Sequence, residues 1–213
     1  MLPQVVLDLD DFYEGNTSIE LLSELRTCIP NFKVNLFTIP GRCSPEFVRS
    51  MGKQDWINLV PHGWGHYTNY EVMAWDEKTT ANMLRRCEEM GFTTKGFKAP
   101  GWQISDACMV ALRDAGYWLA DQPYNRERRP KGLRVYELKQ WVEKHCVAVA
   151  GCSAVIEERP NQYLSIHGHI GHLNGRNANA LELIADSIRH YEKNPAQFRF
   201  IDELLVEGID AHV

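Results

Sequence analysis

Short apolar runs in this chain stop abruptly at polar clusters, and between them the sequence switches to helical spacing. Val5-Val6-Leu7 runs into Asp8-Leu9-Asp10-Asp11, and Trp56-Ile57-Asn58-Leu59-Val60 runs into Pro61-His62-Gly63-Trp64-Gly65-His66. Strands are predicted over 4–10, 33–39, 56–60, 96–98, 117–120, 147–150 and 163–166, with a last apolar run over 198–201. The intervening segments carry helix signals. Ser18 stands as N-cap before Ile19, Leu21, Leu22 and Leu25, and Ser44-Pro45 opens a second helix. A long helix over 76–90 is stopped by Gly91, and Ser105 leads Ala107, Val110, Ala111 and Leu112 up to Gly116. Asn177 caps a final long helix running to Lys193. The stretch 122–132, with three arginines and two prolines, reads as a solvated loop. Such alternation predicts an α/β fold with a mostly parallel sheet or barrel, whose chemistry collects at the C-terminal ends of the strands.

Asp10-Asp11, His62 and His66, Pro100-Gly101-Trp102, Asp121 and His167 all fall at or just after a predicted strand end, so one rim would gather them. Two imidazoles and one carboxylate suit a divalent cation and leave positions on it for water and substrate, the arrangement of a catalytic site. The residues therefore point to a metal-dependent hydrolase. The plainer reading of His62-Gly63-Trp64-Gly65-His66 is two surface histidines one helical turn apart, but glycines at 63 and 65 weaken a helix there. Adjacent strand residues point to opposite sides, so Asp10 and Asp11 can serve one site only if the strand ends and turns at Asp11-Phe12.

Composition narrows the function classes. A chain of 213 residues with 44% hydrophobic content buries one substantial core, so a single domain over 1–213 is expected. A net charge of -5 and a pI near 5.9, without a basic run, give no footprint for nucleic acid. No apolar run is long enough to span a bilayer, so no membrane partner is expected. The first strand starts without a basic or apolar leader, which predicts a cytoplasmic protein. The six cysteines form no CxxC pair and read as reduced packing residues, although the C-x5-C spacing of Cys146 and Cys152 could close a small loop.

In chain order, five segments resemble the motifs of the NodB-homology polysaccharide deacetylases, in a divergent form. Asp8-Leu9-Asp10-Asp11 resembles the first, His62-Gly63-Trp64-Gly65-His66 the second, and Lys98-Ala99-Pro100-Gly101-Trp102 the third. Asp121 stands in the region of the fourth, and Leu164-Ser165-Ile166-His167 resembles the fifth. Phe198 to Leu205 resembles the family's closing strand and helix. The resemblance implies a deformed (β/α) barrel in which Asp11, His62 and His66 bind the metal, Zn²⁺ first, with Co²⁺, Ni²⁺ or Fe²⁺ also fitting. It implies Asp10 as general base, His167 as general acid and the Gly101 backbone N–H as oxyanion donor. Pro100 and Trp102 would face the substrate, Trp102 either as an apolar wall or as a rim residue packing on the next helix. Asp121 would orient His167 or meet Lys98, unless it is an ordinary capping or loop residue. His169 would contact substrate or assist the metal, and His172 would lie in a loop. Asn125-Arg126-Glu127-Arg128-Arg129 would contact an anionic group or simply be solvated. Lys98 replaces the family's arginine, and Asp8 has no assigned role.

The implied reaction removes an N-acetyl group from an amino-sugar-containing substrate, a small molecule or oligosaccharide, by metal-activated water. A soluble or lipid-linked sugar inside the cell suits the missing leader. Hydrolysis of another non-peptide carbon–nitrogen bond, such as a formamide or cyclic amide, competes on the same fold. A metal- or carbohydrate-binding module without catalysis is the reading from another class.

Overall fold

A computed structural model describes residues 2, 4–137, 146–149, 152–158, 164–170 and 180–206. Strand β1 (Gln4–Phe12) is buried almost from end to end, which an alternating apolar and acidic sequence can bear only when both faces are covered. Val5, Leu7 and Leu9 face an outer layer that includes Leu22 and Leu25 of α1 (Ile19–Cys28). Val6, Asp8 and Asp10 face the opposite way, where Val6 packs with Phe37, Val60, Trp118, Tyr136 and Ile201. This second face is the barrel interior.

The chain continues through β2 (Val34–Thr38), α2 (Pro45–Met51), β3 (Ile57–Pro61), α3 (Glu77–Met90), β4 (Gly96–Lys98), α4 (Asp106–Asp114), β5 (Trp118–Asp121) and β6 (Val135–Glu137). It closes with β7 (Cys146–Val149), β8 (Cys152–Glu158), β9 (Leu164–His169), α5 (Ala180–Arg189), β10 (Gln197–Phe198) and α6 (Ile201–Val206). One sheet has the order β3-β2-β1-β9-β8-β7 with β10 added to β1, and the other has the order β4-β5-β6. A single parallel bridge between His62 and Lys98 joins them at the rim. The result is a deformed (β/α) barrel, parallel except where β8 runs antiparallel to β7 and β9.

Helix α6 plugs the N-terminal end: Ile201 and Leu204 belong to the interior cluster. The Ile201 N–H donates to Asn35 Oδ1 at 3.1 Å, and Asn58 Nδ2 donates to Asp202 Oδ1 at 2.9 Å.

Several local expectations change. Strand β1 continues past Asp10 to Phe12, and His167 lies inside β9 rather than beyond it. Ser18 makes no side-chain cap; the Ser18 N–H donates instead to Asn16 Oδ1 at 2.9 Å. Ser44, Asp76 and Ser105 do cap their helices, and Gly91 takes the left-handed φ of 108° that stops α3. Strand β8 and the short β6 were not anticipated. Cys146 pairs with Val155 and Cys152 with Val149, three rungs apart. That offset is about 10 Å along the strand, beyond disulfide reach. Cys28 is exposed, against the expectation of a packing role, whereas Cys87 and Cys108 are buried. Asn177, Tyr163 and His172 lie outside the described residues. No helix among the described residues is long and apolar enough to cross a membrane.

Candidate active site

The two adjacent aspartates reach one pocket through a bulge, not a strand end. The β1–β2 register shifts between Leu9 and Phe12, and Asp11 takes a left-handed φ of 68°. An extra residue in this conformation re-aims its side chain while the ladder resumes; the Ile39 N–H donates to the Phe12 carbonyl at 2.8 Å. Asp11 Oδ1 thereby lies 3.3 Å from His66 Nε2 and 3.7 Å from His62 Nε2.

His62 extends the ladder beyond β3, its backbone N–H donating to the Thr38 carbonyl at 2.7 Å. Its ring Nδ1 lies 3.1 Å from the Lys98 carbonyl. A carbonyl only accepts, so Nδ1 carries the proton and the Nε2 lone pair is turned toward Asp11. Burial pushes this imidazole down to about 3, which keeps it neutral as a ligand must be. His66 is held at a left-handed φ of 51°. Non-glycine residues in that region store strain that the surroundings must impose, and here both Asp11 and His66 do.

Asp11 Oδ1 is buried and has no hydrogen-bond partner among the described residues. Burial, then the neighbouring Asp10 charge, raise the Asp11 carboxyl to about 6. An orphaned carboxylate oxygen facing two imidazole nitrogens, with ligand atoms within 4.8 Å of one another, fits a divalent cation such as Zn²⁺. His169 lies across from them, Nε2 3.9 Å from Asp11 Oδ2 and 4.0 Å from Asp10 Oδ2. Burial lowers its imidazole to about 4.

Beside this group sits a second cluster built from Asp8, Asp10, Lys98 and His167. Asp8, Asp10 and His167 are also close enough to hold an ion. The Lys98 ammonium fills that space instead: it bonds both Asp10 oxygens and lies 3.4 Å from His167 Nε2. Its Nζ is 3.7 Å from the Trp102 ring centroid and 4.8 Å from that of Phe37, so aromatic faces complete its surroundings. Burial would raise the Asp10 carboxyl, but Lys98 and the imidazoles of His167, His62 and His169 outweigh it and hold Asp10 below the usual carboxylate range. Burial likewise lowers the Lys98 ammonium, against the opposing pull of Asp10 and Asp8.

Asp8, left without a role by the sequence, faces His167 directly across β1 and β9. His167 Nδ1 bonds Asp8 Oδ1, and Tyr136 Oη donates to Asp8 Oδ2 at 3.3 Å. Only the pairing of two strands far apart in sequence reveals this partner.

Asp121, expected to orient His167 or to meet Lys98, does neither and is the structural residue of the alternative reading. Its carboxylate accepts from Asn125 Nδ2 at 2.8 Å and Arg129 Nε at 2.9 Å, with no contact to His167 or Lys98 among the described residues. The arginine segment is solvated only in part: Arg126, Glu127 and Arg128 are exposed, but the Arg129 side chain is buried and also pairs with Glu137 at 2.5 Å, and Arg128 bonds the Ile104 carbonyl at 2.8 Å. Pro100 is buried with its Cγ against Gly63. Gly101 and Trp102 follow at left-handed φ of 56° and 62°, and the Trp102 ring meets His167 edge-on at 5.5 Å.

The burial of these groups makes the chelator-treated protein acid-sensitive. His62 and His169 titrate below their ordinary 6.5 when folded, so beneath pH 6.5 the unfolded chain binds more protons and stability falls. Asp11, raised from 3.8 to about 6, acts oppositely between those values and cancels one of the two protons there. Denaturant titrations should show the metal-free protein about 2 kcal/mol less stable at pH 5 than at pH 6.5.

No family model matches the sequence, and no curated relative is similar to it. Solved structures are similar in fold. A family 4 acetyl xylan esterase from Clostridium thermocellum, in complex with a cobalt ion, superposes with a TM-score of 0.58 at 15% identity, over 97% of this chain and 94% of that chain. The chitin deacetylase of Colletotrichum lindemuthianum gives 0.56 at 16% identity, over 93% of this chain and 86% of that chain. The 4-alpha-glucanotransferase of Thermococcus litoralis gives 0.57 at 13% identity, over 97% of this chain but 40% of that chain. A fold shared with a glycan transferase does not by itself fix a chemistry. What the superpositions do fix is the architecture: this chain has the polysaccharide deacetylase fold of the NodB type.

Proposed function

We propose that this protein is a metal-dependent hydrolase that removes an N-acetyl group from an amino-sugar-containing substrate. The observation that carries the reading is the convergence of His62 and His66 on one orphaned carboxylate oxygen of Asp11, directly beside a carboxylate that Lys98 keeps ionised. A pure binding module has no use for that second carboxylate or for an oriented imidazole.

Asp11, His62 and His66 would hold a divalent cation, which would supply Lewis acidity to the site. Asp10 takes a proton from the attacking water as the new C–O bond forms; Lys98 keeps it in the basic form. His167, its Nδ1 held by Asp8, delivers a proton from Nε2 to the amine nitrogen as the C–N bond breaks. The Gly101 N–H serves as a backbone donor to the developing oxyanion. Trp102, edge-on to His167, walls the pocket on the side of the departing sugar amine. Of the neighbours that superpose, the chitin deacetylase is named for a glycan with N-acetylated amino sugars and so matches this substrate class, whereas the acetyl xylan esterase supports only the wider class of glycan deacetylation.

Elemental analysis of the purified protein, followed by acetate release from N-acetylglucosamine oligomers before and after chelation and Zn²⁺ addition, tests the reading. About one bound cation per chain and chelator-sensitive acetate release support it. Formate in place of acetate from a formamide substrate would move the activity to another carbon–nitrogen bond. A bound cation without cleavage of any acyl amide would leave only a binding module.

A further inference from the structure

The loop that carries His66 is held from outside by one carboxylate. Glu71 begins a 3-10 turn, Glu71–Ala74, five residues beyond His66. Its Oε1 accepts from the Trp64 N–H at 3.0 Å and the Gly65 N–H at 3.1 Å, and its Oε2 accepts from the His66 N–H at 2.6 Å. Three successive backbone donors thus converge on one side chain. The turn is itself fixed, because Val72 and Trp75 are buried in a cluster with Phe97, Ala99 and Ile104.

This clamp answers a specific problem. Gly63 and His66 both have left-handed φ, 62° and 51°, so the loop folds back on itself and leaves its inner N–H groups without ladder partners. An ionised acceptor meets those donors with short, charge-assisted bonds. The same turn brings Gly63 against Pro100, where a Cβ would lie 2.8 Å from Pro100 Cγ and 3.3 Å from Glu71 Oε2. Removing the clamp would free His66 to leave the neighbourhood of Asp11 while His62, fixed by the β2–β3 ladder and the Lys98 carbonyl, stayed in place.

We propose that Glu71 is a positioning residue for the cation, holding His66 in ligating geometry without touching the ion or the substrate. This rests on the reading of Asp11, His62 and His66 as ligands. The test is calorimetric titration of the chelator-treated protein with Zn²⁺ alone, comparing native protein, Glu71→Gln and the exposed control Glu77→Gln. Partners behind metal-ligating histidines are typically worth about ten- to a hundred-fold in metal affinity, so Glu71→Gln should bind Zn²⁺ that much more weakly. Glu77→Gln should match the native protein, and both variants should keep native circular dichroism. Equal Zn²⁺ affinity in Glu71→Gln would overturn the role of Glu71, whereas a native protein that binds no Zn²⁺ would instead overturn the ligand assignment. A measurement on the native metal-free protein stands beside it: amide exchange at Trp64, Gly65 and His66 should be slow, and exchange at open-loop rates would remove the clamp.

Discussion

An Asp10→Asn variant should cleave the native protein's substrate about a hundred- to ten-thousand-fold more slowly in kcat, the range expected when a general base is lost. The amide of asparagine nearly matches the carboxylate in shape and can still accept from Lys98, so the pocket keeps its form. It cannot take a proton from water. Because Asp10 lies beside the three candidate ligands without belonging to them, Zn²⁺ affinity measured by titration should change far less than kcat. KM should also stay near the native value, since the base acts in the transition state and not in substrate capture. A variant that kept the native kcat would remove Asp10 from this position in the mechanism, whatever the substrate.

The grouping of Asp11, His62 and His66, the candidate ligands, was legible in the sequence because these residues announce themselves by type and by place, close behind the ends of apolar runs. What joins them was less so. Strict strand alternation puts Asp10 and Asp11 on opposite faces, and the left-handed bulge at Asp11 that resolves the conflict leaves no sequence mark, since aspartate is common in many conformations. Asp8 was invisible for a different reason: its partner His167 is 159 residues away and reaches it only through the β1–β9 register. The arginine-rich stretch misled in the same way. Its charges look solvated in sequence, yet Arg129 finds Asp121 and Glu137 once β5 and β6 lie side by side. Strand β6 itself is only three residues long, too short for a periodicity to show. Glu71 could have been suspected, because a glycine-rich loop with left-handed residues leaves N–H groups that some nearby acceptor must meet.

Lys98→Met should cost about 3–5 kcal/mol of folding stability, the penalty typical of a buried ion pair that loses one member. Lys98 is fully buried, and its ammonium bonds both oxygens of a carboxylate that is itself 5% exposed. Methionine fills much of the same volume between Phe37 and Trp102, so the loss is electrostatic and not a cavity effect. Without the ammonium, burial acts on Asp10 with less opposition, and its carboxyl should rise toward a protonated form. The base would then be blocked at neutral pH, and turnover should fall together with stability. The double variant Asp10→Asn/Lys98→Met separates the pair from its parts: with both charges gone, it should be more stable than Lys98→Met alone in urea denaturation. A double variant no more stable than the single one would mean that the ammonium is balanced chiefly by other groups, Asp8 and Asp11 being the remaining carboxylates that act on it.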